Sequence, residues 1–196
     1  MDFPKNIVLE NNRVLLRPLF DTDIENLKEF VINEPEIWTY SLVCPRGELG
    51  LMSYIQQAIK AKTEQREYPF IVFDKEKKKY AGSTRFYDIQ LNNQTLQLGY
   101  TWYGKEYRGT GLNRHCKYLL LQYAFEELEM ERVEFRADNR NQVSIAAMKS
   151  IGCIEEGVLR SHLPNSNGGR RDSIVLSILK TAWEDTVKQK IAAQLL

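Results

Sequence analysis

The chain has 196 residues, of which 27 are basic and 26 acidic, so its formal net charge is only +1. This balance argues against an obligate nucleic-acid-binding protein, which usually carries a large basic excess, and the longest apolar stretches are too short to span a bilayer. The length and the 43% hydrophobic content suit one domain over 1–196, with a core over about 10–184 that needs no disulfide or metal.

The cysteine and histidine contents favour a cytoplasmic protein without a metal. Cys44, Cys116 and Cys153 are odd in number and far apart, which is typical of reduced thiols in the cytoplasm. His115 and His162 are the only histidines and belong to no Cys/His cluster, so we expect no metal site.

The N-terminal part of the chain is predicted to form one strand and two helices. A short apolar run that ends at a proline predicts a strand over 13–18, and apolar residues at helical spacing predict a helix over 21–32. The loop that follows contains Trp38 and Tyr40, which could line an acceptor pocket or simply pack in the core. The next helix is predicted over 48–66, because its apolar residues fall on one face.

The middle of the chain is predicted to form most of the sheet. Strands over 70–73, 80–91 and 96–102 have short connections, which implies an antiparallel meander. Apolar residues at every fourth position predict a buried helix over 109–128, and alternation predicts a strand over 132–137. A strand–helix–strand unit of this kind implies one parallel pair.

The C-terminal part is predicted to complete an α/β (α+β) fold. It comprises a short helix around 143–151, strands over 154–163 and 171–179 that flank a loop over 164–169, and a last helix over 181–194. We therefore expect helices to flank a mixed, mostly antiparallel sheet that contains one parallel pair.

The segment from Tyr107 to Asn113 lies between a predicted strand and the buried helix and contains two glycines. Glycines let backbone N–H groups face a ligand, and a helix N-terminus adds free donors and partial positive charge. Such a segment suits a phosphate group, although a plain tight turn is the alternative. A Walker loop and a dinucleotide-binding fingerprint both match poorly, because each motif is incomplete here.

The same segment carries a resemblance to a known family. Residues 108–113 resemble the R/Q-x-x-G-x-G/A pyrophosphate loop of the GNAT superfamily of N-acetyltransferases, with Asn113 in place of the final Gly/Ala. Residues 141–144, followed by Lys149, resemble the second half of that family's cofactor site. Three further motifs resemble the ribosomal-protein N-terminal alanine/serine acetyltransferase branch: 98–102, 156–160 and 171–173.

The resemblance implies acetyl-CoA as the acyl donor and a sheet whose two parallel strands splay apart around the pantetheine arm. Backbone groups near 100–103 would bind that arm, and loop N–H groups would bind the pyrophosphate. The cofactor-binding residues that it implies are Tyr100, Thr101, Trp102, Arg108, Gly109, Thr110, Gly111, Leu112, Asn113, Asn141, Ser144 and Lys149.

Two residues depart from the family pattern at catalytic positions. Gln97 stands where many relatives carry a glutamate base, and Met148 stands where many carry a tyrosine acid. The resemblance therefore assigns proton donation to Ser144, with Asn141 near the thioester. Asp88 could replace the base through water, so Asp88 and Gln97 join Trp38 and Tyr40 as candidate substrate-binding residues.

Simpler interpretations exist for several of these residues. Ser144 could bond to its own helix, Asn141 could be only an N-cap, and Arg108 could be a solvated loop residue. These alternatives are open on sequence alone.

The missing glutamate bears on the acceptor. An α-amine has a pKa of about 7.7–8.0, so about a tenth is neutral at pH 7, whereas lysine is almost fully charged. This favours a protein or peptide N-terminus, or a small α-amino compound, over a lysine side chain without deciding between the first two, and we rank a protein or peptide N-terminus first. The alternatives are a small amine acceptor, a non-catalytic CoA-binding module and a nucleotide-binding enzyme. No nucleic-acid or membrane partner is expected, and a homodimer is plausible from the branch.

Overall fold

The protein is described by a computed structural model over residues 6–165 and 168–195. Eight strands form a single sheet in the order β1–β2–β3–β4–β5–β6–β8–β7. The strands are β1 Leu9–Glu10, β2 Val14–Pro18, β3 Glu67–Asp74, β4 Lys79–Gln90, β5 Thr95–Tyr103, β6 Arg132–Asp138, β7 Ile154–Pro164 and β8 Arg170–Leu179.

Helices cover the sheet. They are α1 Ile24–Asn33, α2 Gly47–Thr63, α3 Leu112–Gln122, α4 Gln142–Ser150, α5 Lys180–Ala182 and α6 Lys188–Ala192. A π-helical stretch, Tyr123–Glu127, extends α3, and another, Trp183–Val187, joins α5 to α6. Within the described residues, no helix is long and apolar enough to cross a membrane.

The antiparallel meander is confirmed. Strand β3 pairs with β4 and β4 pairs with β5, both antiparallel. Helix α2 packs on β3 and buries Leu51 and Ile55, while α3 buries Leu120 and Leu121 completely. These elements share one continuous hydrophobic core, which holds the centre of the sheet rigid beneath the candidate site.

The parallel pair is also confirmed, and it is short. Strands β5 and β6 pair in parallel only from Thr95 to Gln97 on β5 and from Arg132 to Glu134 on β6. Beyond these three register pairs the two strands run on without pairing to each other, so a gap opens between them. The mixed, mostly antiparallel sheet with one splayed parallel pair agrees with the expected fold class.

A bulge in β5 coincides with this gap. Arg85 is opposite Gly99 and Ser83 is opposite Trp102, so β5 contains one more residue than β4 over this interval. Tyr100 lies inside the bulge with φ at 49°, in the left-handed region. A bulge bends its strand and increases the local twist, which accounts for the divergence of β5 from β6.

The structure corrects several predicted boundaries. The two-residue strand β1 was not predicted, because two residues are too few to show a periodic pattern. The first helix begins with a 3₁₀ turn, Asp21–Asp23, and α3 begins at Leu112 rather than at residue 109. Residues 1–5, 166–167 and 196 of the predicted domain, including part of the loop predicted over 164–169, lie outside the described residues.

Candidate active site

The glycine-containing loop presents open backbone at the start of α3. Gly109 and Gly111 have φ values of 74° and 86°, and no heavy atom lies within 4 Å of the position that a Cβ would take at either residue. The Thr110 hydroxyl donates to the Tyr107 carbonyl at 2.8 Å and holds the loop in this shape. A helix N-terminus behind an open glycine backbone suits an anionic group.

Other predicted loop residues support the same surface. Arg108 is exposed, and its Nε donates to the Tyr103 carbonyl at 3.1 Å, so its side chain links the loop to the end of β5. Leu112 is fully buried and anchors the first turn of α3. Asn113 has a buried side-chain oxygen without a hydrogen-bond partner. The Arg108 side chain and the anchored helix start fit an anionic group, whereas the Asn113 oxygen is an acceptor and adds nothing to anion binding.

The gap between β5 and β6 provides the edge that an extended arm needs. After Gln97, β5 has no strand partner on its β6 side, so its N–H and C=O groups there can pair with a ligand as an added strand would. Thr101 directs its hydroxyl to Thr84 at 2.7 Å, whereas Trp102 is buried against Trp38 with ring centroids 4.9 Å apart. The Trp102 side chain is therefore part of the core, and only the backbone groups of Trp102 are available at this edge.

Lys117 lies beneath this gap and was not among the predicted site residues. Its Nζ donates to the Thr101 hydroxyl at 2.9 Å and lies 5.6 Å from the centre of the Phe135 ring of β6. Burial lowers the pKa of Lys117 from its ordinary 10.5 to about 8. The sequence did indicate that Lys117 is buried, because Lys117 lies on the same helix face as the buried Leu121, four residues later.

Helix α4 separates two groups of predicted cofactor-binding residues. Asn141 is the N-cap, and its side-chain oxygen accepts from the Ser144 backbone N–H at 3.1 Å, so the capping interpretation holds. Ser144 lies half-buried in the first turn. Lys149 lies about 12 Å along the helix from Asn141 and pairs with Glu155 at 2.7 Å, which separates it from the Asn141 end.

Asp88 and Gln97, both predicted to bind substrate, are in direct contact. The Gln97 Nε2 donates to Asp88 Oδ2 at 2.8 Å, which fixes the orientation of the amide. The opposite amide oxygen, Oε1, is buried without a hydrogen-bond partner. Both residues line a cavity of about 170 Å³ at the start of the β5–β6 pair. The orphaned oxygen is a hydrogen-bond acceptor that a ligand N–H can satisfy.

The other two predicted substrate-binding residues have different outcomes. Trp38 is only 2% exposed and packs between Tyr54 and Trp102, which favours the core-packing alternative over a direct contact with substrate. Tyr40 is 39% exposed, and its carbonyl accepts from Arg171 at 3.4 Å. Met148 is buried, so the position of the family tyrosine is part of the core.

A second cavity, of about 290 Å³, lies between α2 and the β5 bulge. Arg85 is 4% exposed at this cavity, and its Nη1 donates to Glu67 at 2.6 Å. Its guanidinium carbon lies 4.9 Å from the Tyr54 ring centre and 4.2 Å from that of Tyr100. The sequence analysis did not predict this cluster around Arg85, because its residues come from α2 and three strands that are distant from one another in the chain.

Comparisons with known proteins agree with this geometry. The profile of the family described as "Acetyltransferase (GNAT) domain" matches residues 13–154. A relative in Bacillus subtilis (strain 168), named "Putative ribosomal N-acetyltransferase YdaF", is 37% identical over 103 residues, covering 53% of this chain and 55% of that protein. The "Uncharacterized N-acetyltransferase p20" of Bacillus licheniformis is 25% identical over 176 residues, covering 89% of this chain and 97% of the relative.

A solved structure extends the similarity to nearly the whole chain. A GCN5-related N-acetyltransferase from Brucella melitensis has a TM-score of 0.90 at 25% identity, covering 98% of this chain and 87% of that one. The family match covers well over half of the sequence and includes the glycine loop and the splayed strands. The chain therefore belongs to the GNAT family and is, by class, an acetyl-CoA-dependent N-acetyltransferase.

Proposed function

We propose that the protein transfers the acetyl group of acetyl-CoA to the N-terminal α-amine of a protein or peptide. The observation that carries this proposal is the neutral Gln97, whose amide oxygen lacks a partner while its Nε2 is bound to Asp88. An α-amine has a sizeable neutral fraction at pH 7 and needs less help from a base than lysine does. The name of the Bacillus subtilis relative, "Putative ribosomal N-acetyltransferase YdaF", supports a protein acceptor.

The chain supplies the binding groups on both sides of the reaction. The backbone at Gly109 and Gly111 would hold the pyrophosphate, and the free edge of β5 would orient the pantetheine arm. When bound, acetyl-CoA supplies an activated acetyl thioester. Backbone N–H groups of β5 near the Tyr100 bulge would donate to the oxygen that becomes negative during amine attack.

Proton movements would use three side chains. Gln97 Oε1 would accept an N–H of the incoming amine and orient its lone pair. Asp88, which lies directly behind Gln97, would receive the amine proton through a water molecule. Ser144 would pass a proton to the departing sulfur while its oxygen takes one from water, and the demand is small because a thiol has a pKa of about 8.5 and leaves readily as thiolate.

The setting and assembly are further parts of the proposal. Cys44, Cys116 and Cys153 are all free thiols, which supports action in the cytoplasm. Assembly as a homodimer is carried over from the branch that the sequence resembles.

The proposal is tested in two steps on the purified protein. Calorimetry first measures binding of acetyl-CoA, with ATP as the control ligand, and we expect micromolar binding of acetyl-CoA alone. CoA release is then followed with serine- and alanine-initiated peptides, the same peptides with a blocked N-terminus and an internal lysine, and polyamines. Turnover with free N-termini alone supports the proposal. Turnover mainly with polyamines or lysine contradicts it, as does binding without turnover.

A further inference from the structure

Three arginines lie near the bulge in β5: Arg85, which is paired with Glu67, Arg136, which is paired with Glu134, and Arg171. Burial and the neighbouring Tyr100 raise the pKa of Tyr87, whereas Arg136 and Arg171 act on it in the opposite direction. Arg171 is 7% exposed and donates to the Ser173 hydroxyl at 3.0 Å. Among the described residues, no carboxylate lies within 4.0 Å of the Arg171 guanidinium. Arg171 is therefore without a direct ion pair in the described part of the chain, although Asp138 acts on it electrostatically.

Arg85 has an unused binding edge. Among the described residues, its Nη1 donates to Glu67, whereas Nε and Nη2 are buried and have no partner at hydrogen-bonding geometry. The Tyr54 side chain also interacts with the guanidinium and helps to raise the pKa of Arg85. Nε and Nη2 form one edge of the planar guanidinium and carry two parallel N–H groups. This arrangement matches the two oxygens of a carboxylate. Leaving such donors unsatisfied in a buried position is unfavourable, so a ligand that completed their hydrogen bonds would gain binding free energy.

The charges of the second cavity match a singly charged anion. Its lining includes Lys60, Arg66 and Arg85 as cations, with Glu64 and Glu67 as anions. Arg66 is paired with Glu64 and Arg85 with Glu67. The lining therefore has one positive charge in excess, carried by Lys60. One carboxylate would neutralise the cavity, whereas a phosphate dianion would leave it negative.

The cavity is adjacent to the place of acetyl transfer. Tyr100, the bulge residue, lines the cavity and lies 4.2 Å from the guanidinium carbon of Arg85. The Tyr100 side chain lies over the guanidinium and is only partly buried, so a ligand would reach Arg85 by displacing the Tyr100 ring. An acceptor that fills the cavity would therefore hold its amine close to the bulge.

We propose that this cavity is an acceptor subsite in which Arg85 binds a carboxylate carried by the amine substrate. The inference rests on the proposed function and narrows its substrate class. Two sources share this chemistry: the α-carboxylate of a free amino acid, and an acidic side chain near the N-terminus of a peptide. Glu67 limits the affinity of the subsite for a carboxylate, because it binds one side of the Arg85 guanidinium and offsets its charge.

The test compares matched acceptors that differ only in the carboxylate. One pair is a tetrapeptide amide with glutamate at its second position and the same peptide with glutamine. The other pair is free serine and serinamide. For each pair we would measure kcat/KM for acetyl transfer, and also calorimetric binding to protein saturated with CoA, which cannot react. The second measurement reports on the subsite without turnover.

Three variants accompany the wild type. Charge-assisted hydrogen bonds predict a carboxylate preference of about 10- to 100-fold in one of the two pairs. Arg85→Gln should bring that preference close to unity. Glu67→Gln, which keeps Arg85 and removes the competing charge, should increase it. Arg160→Gln removes an exposed arginine of β7 and should leave the preference as in the wild type.

The outcomes separate this inference from the proposed function. Preference in the peptide pair identifies an acidic N-terminus as the source, and preference in the serine pair identifies a free amino acid. Acetyl transfer without any carboxylate preference, or a preference unchanged in Arg85→Gln, overturns the inference and leaves the proposed function standing. Arg85-dependent carboxylate binding without acetyl transfer to any amine supports the subsite and contradicts the proposed function.

Discussion

Replacing Lys117 by methionine is expected to stabilise the fold at neutral pH, although it removes a hydrogen bond. Methionine has a similar length and no charge, so the main change is the loss of a buried ammonium group. Burial lowers the pKa of Lys117 from 10.5 to about 8. At 1.36 kcal/mol per pH unit, the charged side chain destabilises the native state by roughly 3 kcal/mol.

The pH dependence has a defined sign. Below about pH 8, Lys117 is protonated in both states and the full penalty is present. Between about 8 and 10.5 the unfolded chain binds more protons than the native chain, so the free energy of unfolding of the wild type rises with pH. The stability of Lys117→Met relative to wild type should therefore be greatest near pH 7 and should fall by roughly 3 kcal/mol as pH approaches 10.5.

Urea denaturation at a series of pH values measures this difference. The lost hydrogen bond to Thr101 is worth about 1.5–3 kcal/mol, so the net gain at pH 7 is roughly 1 kcal/mol, whereas the pH slope is independent of that bond. Lys190→Met, at an exposed position of α6, is the control and should show no such slope. A difference between Lys117→Met and wild type that stays constant from pH 7 to 10 would refute the reasoning.

Three other changes test the site. Gly111→Val places a β-branched residue at φ 86° and should weaken acetyl-CoA binding roughly 10-fold in calorimetry; unchanged affinity would contradict the anion-loop assignment. Ser144→Ala should lower kcat about 100-fold while leaving acetyl-CoA affinity unchanged; equal turnover would reduce Ser144 to a structural hydroxyl. Gln97→Glu places a second carboxylate beside Asp88 and raises the pair's pKa, so its stability relative to wild type should be roughly 1–2 kcal/mol lower at pH 7 than at pH 4. An equal loss at both pH values would exclude charge repulsion as the cause.

Much of the fold follows from local patterns in the sequence. The meander, α2, α3 and the parallel pair were all predictable, because hydrophobic periodicity and short connections report on them directly. The two residues of β1 are too few to form a pattern. The 3₁₀ turn before α1 and the π-helical end of α3 are local hydrogen-bond shifts that leave the apolar spacing intact, so periodicity does not distinguish them from α-helix.

The site was only partly predictable. The glycine loop has a local sequence signature, and contact between Asp88 and Gln97 follows from two adjacent antiparallel strands. The group around Arg85 draws on α2, β3, β4 and β5, and no local pattern reports that four distant segments meet. Trp38 shows the same limit, because the sequence leaves an acceptor pocket and core packing both open for an aromatic residue in a loop that can fold back over a sheet.

The narrow junction between β5 and β6 has a mechanical consequence. Five strands lie on one side of it and three on the other, and three register pairs join the two parts of the sheet. A cofactor arm hydrogen-bonded within the gap would add contacts between the two parts and raise the free energy needed to separate them. Binding of acetyl-CoA would then slow proteolysis of the C-terminal part of the sheet.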